Sequence, residues 1–268
     1  MLTLGVARLA LFAAVGLAFG LGLFGAPHRR LLTALAAAAF VANLGWFAVL
    51  TANMFEVPLA ALSVDALATA RAMPAIGPAF AMRALLLLLL IVATRWRWPA
   101  RILAGGALAS LAWTGHAAAA PPLRLIADIA HLLAAGAWIG AVASLWLAVS
   151  RAEPEAAARA VAFARPGALI VAILAATGAV AIIGLTSDVA WLQVAGTPWG
   201  RLIVAKLLLF AGTLALAWRH RTRLVPALVA GQSGAAARLR ASLALELALL
   251  LGIFAAVAFA GQLDPAGG

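Results

Sequence analysis

The sequence predicts an all-α polytopic membrane protein, a bundle of about eight transmembrane helices with both termini on the periplasmic side. Three observations predict it. Of 268 residues, 66% are apolar and 10% charged, whereas soluble domains run near half apolar and a quarter charged, and one core of this size cannot bury the excess away from water. The apolar residues form continuous runs of roughly 20, the length that crosses a bilayer as a helix, rather than the alternating ten-residue segments of a barrel. Finally, the basic residues concentrate in alternate loops, as they do in membrane proteins oriented by positive charge.

The runs lie at about 5–26, 31–52, 77–94, 100–119, 124–149, 160–184, 200–219 and 238–261, and together make a single transmembrane domain over residues 1–268. The first is longer than a secretory signal core and its basic pair, Arg29 and Arg30, follows it, so it reads as a retained helix. The second ends before the longest outer loop, residues 53–76, which contains Met54, Glu56, Asp65 and Met73 and suits a lid or short interfacial helix. Gly77-Pro78 opens the third, and Arg83 sits in its first turns, yet Leu85 to Val92 has no other place. The fourth and fifth are joined by a short connection, Ala117 to Leu123, with Pro121-Pro122, which makes them antiparallel neighbours. The remaining three are separated by charged or proline-bearing segments.

Thirteen of the nineteen basic residues follow the first, third, fifth and seventh runs, which places those loops in the cytoplasm. The formal charge of +11 is therefore a topology signal. Nucleic-acid binding is excluded, because the arginines spread over four separated loops with no interleaved aromatic pattern. Trp96, Trp98 and Trp218 fall at the inner boundary and Trp113, Trp191 and Trp199 at the outer one, as interfacial belts. Gly16-x-x-x-Gly20 and Gly136-x-x-x-Gly140 permit close helix approach in lipid. Cysteine is absent, which removes disulfides and thiolate metal sites.

Ionisable residues within spans are costly, roughly 2.5 to 3.5 kcal/mol each on insertion scales, and mark candidate sites. Arg8, Arg83 and Arg201 lie close enough to the outer boundary to snorkel. His28 and His220 adjoin arginine-rich loops, where solvated rings are expected. Asp128 and His131 are three residues apart on the fifth run and share a face that Ala135 and Trp138 continue. His116 lies about one turn inside the outer end of the fourth run, so both imidazoles and the carboxylate reach one outer vestibule. Such a set suits a borderline metal; it also fits hydrogen bonds that merely bridge helices. Lys206 and Glu246 lie at different depths, which disfavours a direct ion pair without tilt or a water-filled path; each also suits a proton relay or pairing with backbone carbonyls or water inside the bundle, and Lys206 is a second-tier pathway candidate together with Met54 and Met73.

Thr114-Gly115-His116-Ala117, followed by Asp128-Ile-Ala-His131 and by Gly136 to Gly140, resembles the hallmark region of the copper resistance protein D family. Ala176-Thr177-Gly178, Gly196 to Arg201, Ala205-Lys206-Leu207 and Arg221 to Pro226 are similar to that family's later segments in the same order. The resemblance covers about residues 80–260. It implies an eight-helix protein of the bacterial inner membrane that handles copper, moving it inward from the periplasm beside a small periplasmic copper-binding partner, with His116, His131 and Asp128 as metal ligands. The first run has no histidine beside Arg8, and the outer segment is not methionine-rich.

The expected function is copper import or delivery without enzymatic turnover; no P-loop is present, so movement follows a gradient or a partner's handover. Two alternatives are a membrane electron carrier with haem on His116 and His131, and a copper-delivery factor for oxidase assembly.

Overall fold

The structure, a computed structural model, describes residues 2–25, 29–74, 76–114, 122–186 and 196–263. These form helices and no strands: α1 (Leu2–Phe24), α2 (Arg29–Met54), α3 (Val64–Ala72), α4 (Gly77–Ala93), α5 (Arg97–Ala109), α6 (Pro122–Ser150), α7 (Ala156–Ala162), α8 (Ala164–Thr186), α9 (Pro198–Arg219), α10 (Val225–Val229) and α11 (Ala235–Ala260). Six are long and apolar enough to cross a membrane: α1, α2, α6, α8, α9 with its continuation to Val229, and α11. The third expected run is α4, with 17 residues. The fourth is α5, with 13 residues, prolonged by 3-10 turns over Ser110–Thr114. α3 and α4 pass as one bent span, with 99° between them.

Local chemistry sets the breaks. Ser63 caps α3 by accepting the Ala66 N–H at 3.1 Å, so the outer loop contains the short helix its length invited. The sixth expected run is split at Phe163, where Pro166 opens α8 and lacks an N–H to extend the preceding turns. After Arg219 the helix widens into a π turn, His220–Leu224, in which Val225 N–H reaches back five residues to His220 O. Pro226 follows, and its ring clashes with the carbonyl four residues earlier, which favours such widening.

α1 and α6 form the centre. They cross where Gly20 faces Gly136 and Gly140, so closely that a Cβ on Gly20 would overlap the Gly136 carbonyl oxygen and one on Gly140 would overlap the Gly20 backbone. Both glycine pairs therefore serve close approach. α2 packs on α1 and on α4, α5 on α1 and α4, α8 on α6, and α11 on α9, α6 and α1. Leu11, Val15, Leu87, Ile139, Leu239 and Leu243 fill the interior, while Leu85, Leu88, Ile183, Leu208 and Leu245 point outward, as lipid-facing side chains do.

Arg83 corrects the snorkelling expectation. It is 0% exposed and turned inward, where Nε donates to Ser110 Oγ at 2.9 Å, Nη1 to Asn43 Oδ1 at 3.1 Å, and Nη2 to Ser110 O at 2.9 Å and Thr114 Oγ1 at 3.2 Å. Its guanidinium also covers the Trp46 and Phe80 rings. Four acceptors already waiting inside the bundle outweigh the reach to the boundary. Arg8 is half-buried over Phe12 and Trp46, and Arg201 is exposed. Trp199 also departs from expectation: it is 4% exposed and packs on Ala260 rather than lying in a belt. Trp96, Trp98, Trp113 and Trp218 are exposed.

Candidate metal centre

Three helices bring polar side chains to one depth. His131 lies nine residues into α6, Thr177 nine before the end of α8, and Lys206 eight into α9, each about 12 to 14 Å from the same end at 1.5 Å per residue. His131 Nδ1 is 2.9 Å from Thr177 Oγ1. The threonine hydroxyl donates its own proton to Ile173 O at 2.6 Å, so towards the ring it accepts. The Leu174 carbonyl lies 3.4 Å from the same hydroxyl. A hydroxyl so committed favours the Nδ1–H tautomer, which leaves Nε2 the lone pair with which imidazole binds a metal. Gly178 lies against the ring, with room for a Cβ 3.8 Å from Cε1.

Asp128 is one turn nearer the membrane surface on the same face of α6. Lys206 is within electrostatic range of both Asp128 and His131, so the carboxylate meets a cation in the same cluster. The second-tier lysine is thus near this pair. His116, expected as the other imidazole, lies outside the described residues, as do Pro121, His28, Trp191 and Asp188. Arg83 holds Thr114, the last described residue before that segment. Met54 ends α2, exposed, and Met73 caps α3; α3 packs on α2 and α4. Among the described residues, no group of three His, Cys, Asp or Glu side chains gathers to hold a metal ion. The donors present here, one imidazole and one carboxylate, fit part of a shell for a borderline cation.

A second polar cluster lies further along the α6 face. Trp138 Nε1–H donates to Glu246 Oε1 at 2.9 Å, His220 Nδ1 is 3.2 Å from Glu246 Oε2, and His220 Nε2 is 2.8 Å from Ser242 Oγ. Glu246 is 2% and His220 8% exposed. The solvated reading of His220 is thereby overturned: the π turn swings the ring inward to a carboxylate on α11. Glu246 pairs with that ring, not with Lys206, in keeping with their different depths.

Thr177, Asn43, Ser110, Thr114 and Ser242 carry these networks, and a screen for ionisable residues passes over them. Their signal was still present, since uncharged polar residues within apolar runs need internal partners in lipid.

The fold and these clusters define a multi-pass helical membrane protein with imidazole and carboxylate groups held inside the bundle. The comparisons name its family. The description "Copper resistance protein D" matches residues 155–260 and "Copper resistance protein D-like, N-terminal domain" matches residues 1–123. A copper resistance protein D from Pseudomonas syringae pv. tomato is 34% identical over 183 residues, covering 61% of this chain and 58% of that relative. The chain belongs to the copper resistance protein D family, and the match spans less than two thirds of that relative's length. No solved structure matches the chain.

Proposed function

We propose that the protein moves or delivers copper inward across the bacterial inner membrane, without enzymatic turnover, and that His131 Nε2 is a ligand for the incoming ion. The single observation that supports this reading is the Thr177 hydroxyl 2.9 Å from His131 Nδ1 and bonded to Ile173 O, which favours a proton on Nδ1 and a lone pair on the other nitrogen. Asp128 ligates the ion or neutralises it, His116 supplies a second imidazole, and Lys206 balances Asp128 while the site is empty. An arriving cation takes the place of the Lys206 charge beside Asp128. Met54 and Met73 belong to the approach from the outer loop, and a small periplasmic copper-binding protein is the expected donor.

The test is elemental analysis and an absorption spectrum of detergent-purified protein, wild type beside His116→Ala and His131→Ala. One copper per chain, lost in both variants, is the expected result. A Soret band that tracks His131 would identify haem instead, and unchanged copper content in both variants would place the ion elsewhere.

A further inference from the structure

Trp138, Glu246, His220 and Ser242 are not used by a metal at His131; Trp138 lies on the same face of α6 seven residues on, about 10 Å deeper, and Glu246, Ser242 and His220 meet it from α11 and the π turn. Every polar atom of the carboxylate and the ring has a partner: the Trp138 N–H on Oε1, His220 Nδ1 against Oε2, and Ser242 Oγ against His220 Nε2. Among the described residues Glu246 makes no ion pair with an arginine or lysine. Two donors would leave a metal shell half empty, whereas one proton completes the network. With that proton, an imidazolium faces a carboxylate and Nε2–H donates to Ser242. Without it, Nδ1–H still donates to Glu246, and the Ser242 hydroxyl turns to donate to the Nε2 lone pair. The serine accommodates both states with no change in backbone.

Arginines flank this pair on one side. On α6 the titratable groups facing this side are Asp128 and His131, at the outer site. On α9 they are Lys206, also at the outer site, and Arg219, exposed next to the ring. α7 carries Arg159, paired with Glu153 and Glu155, and α8 carries Arg165, exposed at its start. α10 has none, α1 has Arg8 at the far end of α11 against Gly261, and the π turn adds Arg221 and Arg223. α11 carries Arg238 and Arg240 towards its exposed start. A mostly apolar cavity of about 800 Å³ between α6, α8, α9 and α11 reaches His220 and Glu246 with Arg221 on its wall, and the π turn that carries His220 exposes Arg221, Thr222 and Arg223 on the arginine-rich side.

Resting on the reading of His131 as the cation site, we propose that Glu246 and His220 form a proton-binding site that exchanges one proton against the cation. When a cation loads near His131, the proton on His220 Nε2 passes to solvent at the exposed π turn. The negative charge left on Glu246, which is held by Trp138 about two turns along α6 from His131, offsets the added positive charge. Charges this close in a low-dielectric interior are strongly coupled.

The test adds copper(II) chloride to the purified full chain in lightly buffered detergent with a pH indicator, between about pH 5 and pH 8, where imidazole titrates. Wild type is expected to release about one more proton per bound copper than Glu246→Gln or His220→Gln, while both variants still bind copper. Equal proton counts per copper in all three would overturn the proposal. So would loss of copper binding in folded Glu246→Gln and His220→Gln, which would make the pair metal ligands. Failure of the underlying reading shows separately, as copper binding that His131→Ala leaves unchanged.

Discussion

His131 Nδ1 lies 2.9 Å from the Thr177 hydroxyl, which donates to Ile173 O and so favours accepting from the ring. The geometry orients the ring and favours one tautomer at once. Thr177→Val keeps the shape and removes the acceptor, so copper affinity is expected to fall roughly 10-fold, at the low end of losses seen when a ligand's supporting hydrogen bond is removed. A competition titration against a chelator of known affinity measures it. Unchanged affinity would separate the ring from the metal.

Asp128→Asn preserves size and removes charge. Copper binding is expected to weaken by about 10 to 100-fold without disappearing. Lys206→Ala leaves binding largely intact, because the lysine opposes rather than supplies a ligand, but uptake into cells falls. Copper content and uptake, measured together, distinguish the two variants.

Arg83→Met is expected to cost about 3 kcal/mol, the scale on which breaking a buried charged network destabilises a protein. Asn43 Oδ1, Ser110 O and Thr114 Oγ1 would each lose a donor in the bundle interior. Arg83→Lys should recover only part, since an ammonium cannot reproduce the planar fork. Thermal unfolding in detergent orders the three proteins, and equal stability would contradict the network.

Gly140→Leu would drive a side chain into the Gly20 backbone and force α1 and α6 apart. Overpacking of this kind costs typically about 1 to 3 kcal/mol, and here it moves the helix that carries His131. Reduced stability together with reduced copper content is expected, against near-native behaviour for a substitution at lipid-facing Leu88.

Reporter fusions at both ends should read as periplasmic. Arginines crowd the loops after the first, third, fifth and seventh runs, and the His131 cluster lies towards the other face. A cytoplasmic C-terminus would put the site on the wrong side for uptake from the periplasm.

Composition, run length and charge placement were enough to determine a helical membrane protein, because lipid forces each span to satisfy its own backbone and to be apolar over a fixed length. Asp128 and His131 were legible together for the same reason, since a three-residue spacing on one helix fixes a shared face. The glycine pairs likewise announced a close crossing. What the sequence could not give was partnership between helices. Thr177 beside His131, Lys206 beside Asp128, and His220 turned to Glu246 join residues 46, 78 and 26 positions apart, and a one-residue widening after Arg219 decides where His220 points. Arg83 shows the same limit. Near a span end it had a route to water, and only the tertiary arrangement of Asn43, Ser110 and Thr114 made the interior the better solvent for its charge.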